Sequence, residues 1–410
     1  MLRGHDYRRK KDCEVGGEGS VPTVTYLGFV TGVLALIVIA GGIYNLFAIF
    51  CVAEFFTTKR RKPDRISYPP VSILKPVKGL DPGFRKNIDS FCRLDYPEYE
   101  ILIGFIGADD EALEAARAIA DAYPGKVRVV TTREKIGVNE KVSNLKGLID
   151  SARYGLVAIS DSDMMVDERY LKTIVEEYLS EDNVGLVTSP YKISGPVTAG
   201  AALESLTIAV DFLPSVLVAR KLEGITFGLG ASMLLTKDTM KNIGGMEAIA
   251  DYLADDYQIG NRIWQQEHKV LLSGYVMEDV VGKMGIKQFL LHQVRWGRTY
   301  RASRPKGFFG YGVTHVLFFS CLLIAVQGVT AYAVSVLAVV LVLRLFLAFL
   351  VYGKVIRRKQ WLKWLPLLPF RDLLAFSIWA WSFAGRGVFW RGAHYLVEQG
   401  GKIKPAPGRR

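Results

Sequence analysis

A chain of 410 residues that is 50% hydrophobic, with a formal charge of +12 and a mean hydropathy of +0.20, is too apolar for an ordinary soluble enzyme. Its middle is nevertheless well charged, so it reads as a membrane protein with a soluble domain. The excess positive charge lies in short clusters, Lys59 to Lys62, Arg295 to Arg304 and Arg357 to Lys359, which suit membrane flanks and phosphate binding and not a nucleic-acid surface.

Residues 1–23 form a polar, glycine-containing tail with no fold expected of its own. Residues 24–56 carry no charge from Tyr26 to Ala53. That run exceeds the roughly 20 residues a helix needs to span a bilayer, and it lacks the short core and cleavage site of a signal peptide. A transmembrane anchor is expected. Lys59-Arg60-Arg61-Lys62 follows, so the positive-inside rule places the rest of the domain in the cytoplasm, at the inner or cell membrane. Cys13, Cys51, Cys92 and Cys321 are neither clustered nor spaced as CxxC, which argues against a disulfide framework or a zinc site.

Pro69-Pro70 opens the soluble part, residues 69–305. Val71–Pro76 predicts a buried strand, Phe84–Leu94 a helix, Tyr99–Ile106 a strand, Glu111–Tyr123 a helix, Val127–Thr131 a strand, Lys141–Ala152 a helix and Leu156–Asp161 a strand. Such alternation implies an α/β domain with a mostly parallel sheet covered on both faces. No GxGxxG opens the first helix, so a dinucleotide fingerprint is absent. AISDSDMMV, Ala158 to Val166, ends an apolar run in Asp161 and Asp163, one residue apart. At the carboxyl end of such a strand they suit a hard divalent cation, Mg²⁺ or Mn²⁺, and equally a turn or a helix cap.

Gly224–Thr236 predicts a strand with glycines where a ligand or another chain comes close. Tyr252–Gln266 predicts a helix with Asp255 and Asp256 in its first turn, as paired site carboxylates or as a plain helix start. In Ile286–Arg304 a stripe of His292, Trp296 and Tyr300 runs beside Arg295, Arg298 and Arg301, on a helix that serves a site, lies at the membrane interface, or does both. Residues 312–353 predict a transmembrane hairpin turning at Gln327-Gly328, with Arg344 in its second helix either serving a function within the membrane or, as expected, reaching back to the cytoplasmic interface. Residues 361–392 are broken by Pro366, Pro369 and Arg371-Asp372, and a span would place that charged pair near mid-bilayer. An interfacial or re-entrant element is expected there, followed by a basic tail, 393–410.

Several blocks occur in a telling order: VSILKPVKGLDP and FCRLDYPEYE, the ADD around Asp110, GVNEKVSNL from Gly137, SDSD at Asp161, ADDY around Asp256 and QVRW ending at Trp296. With an anchor before them and spans after, Val71 to Trp296 resembles the membrane-bound inverting glycosyltransferases of GT-A fold. Within these it resembles the ceramide glucosyltransferase family, with bacterial relatives that glycosylate hopanoids. The resemblance implies a Rossmann-like domain that moves a sugar, of glucose or N-acetylglucosamine type, from a UDP-sugar to the hydroxyl of a ceramide- or hopanoid-like lipid at the cytoplasmic face. It implies that Asp110, with Asp109, meets the uracil and ribose, and that Asn139, Lys141 and Asn144 line the nucleotide. Asp161, with Asp163, would hold Mg²⁺ or Mn²⁺, and Asp256 would be the base beside Asp255. His292, Gln293, Arg295 and Trp296 would complete the diphosphate and acceptor end, although the family has glutamine or arginine where His292 stands. A processive polysaccharide synthase shares the carboxylates but needs a channel that these few spans hardly line. A non-catalytic nucleotide-binding scaffold would have no use for Asp256 beside the metal pair.

Overall fold

The strand β1 (Val71–Pro76) is buried along its whole length because it lies in the middle of a sheet covered on both faces. This computed structural model describes residues 21–58, 67–356 and 359–407. The tail through Ser20, Lys59 to Lys62, Arg357-Arg358 and Arg409-Arg410 lie outside the described residues. β2 (Tyr99–Ile106) and β4 (Leu156–Ile159) flank β1 in parallel, and β3 (Val127–Thr132) extends that side. The connecting helices are α2 (Phe84–Cys92), α3 (Leu113–Ala122) and α4 (Glu140–Ser151). Each is amphipathic: Phe84, Ile88 and Phe91, or Leu113, Ala116 and Ile119, fall on one face and are buried. β8 (Met233–Thr236) then runs antiparallel to β4, followed by β6 (Val184–Thr188) and β9 (Lys269–Leu272), to give the order β3-β2-β1-β4-β8-β6-β9. The predicted α/β domain with a mostly parallel sheet is thus present. A small second sheet, β5 (Met164–Met165), β10 (Met277–Asp279) and β7 (Tyr191–Lys192), adjoins the carboxyl end of β4. α5 (Tyr170–Tyr178), α8 (Lys237–Asn242) and α9 (Asp255–Gln265) complete this part.

The predicted strand from Gly224 to Thr236 is corrected, because only its last four residues pair. The Gly228 and Gly230 amides donate to the Asp256 carbonyl and carboxylate, at 3.2 and 2.8 Å, so this stretch serves the neighbouring helix and not a sheet.

α1 (Val21–Thr57) and α13 (Ala331–Val351) lie in segments long and apolar enough to cross a membrane. So is a third, which the sequence reading left inside the soluble domain: α6 (Ala199–Thr207), a π turn over Ile208–Phe212 and α7 (Leu213–Glu223). It packs against α1 and α13, and one core runs from Val52 through Leu213 and Leu217 to Leu347 and Val351. The domain and its membrane helices are therefore not separable at residue 305. α10 (Ile286–Ser303) leads into α11 (Pro305–Tyr311) and α12 (Val316–Gln327), which bend by 55° at His315. The hairpin with α13 turns at Gly328, whose φ of 75° suits glycine.

Arg344 does not reach back to the interface as expected. It is buried, and its guanidinium bonds to Asp372 at 2.7 and 2.8 Å, to Asp211 at 3.0 Å and to Asn45 at 3.3 Å. Arg371 bonds to the same two aspartates. Mutual pairing thus removes the cost that argued against burying Arg371-Asp372. These two residues lie on α14 (Leu368–Phe383), a 16-residue helix about 24 Å long, short of the roughly 30 Å hydrocarbon core. The expected tail is also corrected. β11 (Gly387–Trp390), β12 (Ala393–Val397) and β13 (Ile403–Pro405) form an antiparallel sheet around Val388, Val397 and Ile403, with Leu253 of the domain in the same cluster.

Candidate active site

Loops at the carboxyl ends of β1, β2 and β4 open on one crevice, where ligands sit in open α/β sheets. At the end of β4, Lys75 secures the turn from below. Its buried ammonium donates to Ser160 Oγ at 3.0 Å and to the Asp161 carbonyl at 2.9 Å, and it lies over the Phe91 ring. Asp161 and Asp163 are thereby held on a stiff turn, with Ser162 between them donating to Asp81.

Lys141, in the first turn of α4, sits between carboxylates, 2.7 Å from Asp161 Oδ1 and 3.3 Å from Asp255 Oδ2. Burial disfavours its charge, but Asp161, Asp255 and Asp256 outweigh burial and hold the ammonium above the ordinary lysine range. Asp255 and Asp256 do stand in the first turn of α9. Asp256 accepts from the Gly230 amide and the Tyr257 amide, both at 2.8 Å. Burial raises its pKa against Lys141 and those amides, with Asp161 adding to the rise. Asp255 is pushed up to about 6, first by burial, which works against Lys141, with Asp256 and Asp161 adding to the rise. Gly230 closes this corner: a Cβ there would lie 3.1 Å from Asp161 Oδ2, 3.3 Å from Asp256 Oδ2 and 3.5 Å from Lys141 Nζ.

Asp163 is pushed up to about 7 by burial, then by Asp161 and Asp81, and its buried Oδ1 has no hydrogen-bond partner among the described residues. Asp279, brought beside it by the β5–β10 pairing, lies well above the carboxylate range for the same reasons, burial first and Asp163 next. Crowded carboxylates with an orphaned oxygen fit a hard cation that takes one or two protein carboxylates and completes its shell with phosphate and water. Among the described residues no group of three or more acidic, histidine or cysteine side chains is disposed as a full protein cage.

Two cavities meet here. A smaller one, about 290 Å³, is lined by Asp109, Asp110, Asn144, Lys78 and Lys135. The Asp110 carboxylate accepts from the Gly79 and Ala112 amides, at 2.8 and 2.9 Å, and so shapes the rim. The larger, about 640 Å³, holds Asp161, Asp163, Asp255, Asp256, His292, Gln293, Arg295 and Trp296 at its polar end and runs on past Phe227, Phe308, Ile378 and Trp379. Lys141, Trp390 and Arg391 line both.

Asn139 lines neither cavity, contrary to expectation. It is fully buried; its oxygen caps α4 by accepting from the Lys141 and Val142 amides, and its amide donates to the Tyr252 carbonyl at 2.7 Å. His292 and Gln293 both turn to Glu204, at 2.9 Å and 3.0–3.1 Å, so a buried carboxylate of α6 sets this face of α10. Trp296 packs against His292, Phe212 and Tyr191. Arg295 faces the cavity; burial, then Arg391, lowers its pKa.

Sequence reasoning overlooked Lys75, Asp81, Glu204, Gly230, Asp279, Trp390 and Arg391. Lys75 stands near the end of an apolar strand, the signal that drew attention to Asp161, and Glu204 interrupts an apolar helix. Gly392 between two strand-like runs marks a turn, although the arginine before it is not a usual hairpin residue.

Ceramide glucosyltransferase 3 and ceramide glucosyltransferase 1 of Caenorhabditis elegans are each 26% identical to this chain, over 279 and 278 residues. The alignments cover 67% and 66% of this chain but 61% and 59% of those proteins, so the matched stretch spans about three fifths of the relatives' length. In fold the chain is similar to the mannosyltransferase PcManGT from Pyrobaculum calidifontis, whose structure holds GDP-Man and Mn²⁺, with a TM-score of 0.51 at 15% identity over 86% of this chain and 99% of that one. This likeness marks the fold as GT-A-like. The model of glycosyl transferase family 21 matches residues 33–403, from the first membrane helix into the last strand of the C-terminal sheet, and the chain belongs to that family.

Proposed function

We propose that this chain is an inverting glycosyltransferase that moves a sugar from a UDP-sugar to the hydroxyl of a membrane lipid. The observation that carries the reading is the pair of joined cavities: a polar cleft of nucleoside size opens beside Asp256 into a cavity whose far wall is aromatic and apolar. A soluble donor and an insoluble acceptor can thus enter from opposite ends. The lipid is of ceramide or hopanoid type and the sugar of glucose or N-acetylglucosamine type, with ceramide and glucose favoured by the names of the relatives. The basic run after the first span supports a cytoplasmic site.

Inversion needs one base on the acceptor face and charge neutralisation on the leaving-group face. Asp256 is the base. Its two backbone donors fix the carboxylate, and its raised pKa brings it nearer the range in which a general base works at neutral pH. Trp296, wedged among aromatic rings, holds the backbone of α10 so that Arg295 faces the leaving diphosphate. Asp161 and Asp163 would hold Mg²⁺ or Mn²⁺, which would supply further neutralisation of the leaving diphosphate.

The test is incubation of the chain in bilayers containing a total lipid extract with several UDP-sugars, followed by mass spectrometry of the lipids. Asp256→Asn should lower turnover by about a hundredfold or more and leave UDP-sugar affinity nearly unchanged. Retained turnover with weakened nucleotide binding would overturn the assignment of the base.

A further inference from the structure

The C-terminal sheet is built into the site and not appended to it. Ile403 donates from its amide to the Asp251 carbonyl at 2.7 Å, and the Leu253 amide donates to the Gly401 carbonyl at 3.1 Å, just ahead of Asp255. The Asp251 carboxylate in turn accepts from the Val138 amide in the loop before α4. From α10, Arg298 donates to the Gly387 and Ala384 carbonyls, and Arg301 to those of Phe383 and Gly385. This scaffold delivers one tight turn, between β11 and β12, to the place where the two cavities join.

At that turn Arg391 has φ of 47° and Gly392 φ of 83°. Two positive φ values suit a two-residue hairpin, but asparagine, aspartate or glycine usually takes the first of them. An arginine there is a strained choice. Its Nη1 donates to the Lys78 carbonyl at 2.9 Å and meets Asp81 Oδ1 at 3.4 Å. Both contacts use one nitrogen, so most of the planar fork remains uncommitted among the described residues. The exposed Arg391 guanidinium is close enough to Asp163 and to the buried Arg295 to act on both electrostatically, so it stands between solvent and the carboxylate crowd.

Resting on the reading under Proposed function, a donor with its base in the smaller cavity and its sugar beside Asp256 must pass its diphosphate across the boundary made by Lys141, Trp390 and Arg391. Lys141 is already engaged by Asp161 and Asp255. We infer that Arg391, at the tip of the C-terminal hairpin, is a donor-binding residue that grips the diphosphate, with Arg295 on the other side. Guanidinium matches phosphate oxygens in a bidentate fashion, which explains an arginine where the backbone prefers a smaller residue.

The experiment is equilibrium binding of UDP and of uridine to the full chain in detergent with Mg²⁺, for the unmodified protein, Arg391→Gln and Arg391→Lys. Arg391→Gln should weaken UDP at least about tenfold and uridine less than about twofold, and Arg391→Lys should recover part of the loss by keeping the charge. Equal loss for uridine and UDP means that the hairpin merely shapes the cleft, and unchanged UDP affinity means that Arg391 does not touch the diphosphate; either overturns this inference alone. If the unmodified chain does not bind UDP, the reading of the donor falls with it.

Discussion

Arg344→Met tests the ion cluster that ties the membrane helices to the domain. Arg344, Arg371, Asp211 and Asp372 come from α13, α14 and the π turn, two positive and two negative charges, each at most 10% exposed. Arg344 alone makes five bonds, to both oxygens of Asp372, to Asp211, to the Val210 carbonyl at 3.1 Å and to Asn45 of α1. Removing it leaves two buried carboxylates facing one guanidinium. Breaking a buried pair from one side costs about 3–5 kcal/mol, most of it the cost of the charge left unpaired. Equilibrium unfolding in detergent micelles should therefore show Arg344→Met destabilised by about that amount. Adding Asp372→Leu restores neutrality, with Arg371 and Asp211 still paired, so the double variant should regain about 2 kcal/mol or more over the single one. A single variant as stable as the parent, or a double variant no more stable than the single one, would refute the view that charge balance holds these helices in place.

Gly230→Ala should lower turnover about tenfold or more while leaving the unfolding midpoint nearly unchanged, because the new methyl presses on Asp161, Asp256 and Lys141 and not on the core. Unaltered turnover would remove that corner from the chemistry. Chelation should abolish transfer and added Mg²⁺ or Mn²⁺ restore it, with Asp163→Asn needing more metal; full activity in EDTA would take the cation out of the mechanism. Protease added outside sealed, right-side-out vesicles should leave residues 71–296 intact, and cleavage there would reverse the proposed topology.

The first half of the sheet was readable because each element has one dominant period. Phe84, Ile88 and Phe91 announce a helix, and an uninterrupted VSILKP announces a strand covered on both faces. The acidic corner was readable for the same reason: Asp161 ends a strand and Asp255-Asp256 begin a helix, and the ends of those elements converge. Asn139 shows where residue type ceases to decide, since the same amide that can line a nucleotide can cap a helix, and here it caps. Arg344 was unreadable in another way. Its partners are 28, 133 and 299 residues distant, and no window of sequence contains them. The strand predicted over Gly224–Thr236 formed only at its end, because the Gly228 and Gly230 amides are claimed by Asp256 and the Leu229 amide by Thr188, tertiary demands that local propensity does not register.

The same cluster also bears on the wall of the large cavity that leads to Asp256. Asp211 and Arg371 line the large cavity that holds Asp256 and Arg295, so its wall is shared between the buried ion cluster of the helices and the acidic corner. An isolated charge on such a wall would draw in water or neutralise itself. Because Asp211 is matched by Arg344, Arg371 and the Tyr311 hydroxyl at 3.0 Å, it presents a satisfied surface to the cavity. Paired charge in the helices and crowded carboxylates at the carboxyl ends of the strands are therefore complementary. Under the proposed function, the first would let a lipid approach without water, and the second, where burial and neighbouring carboxylates raise Asp163, Asp255, Asp256 and Asp279, concentrates the electrostatic demand that a sugar donor's cation would relieve.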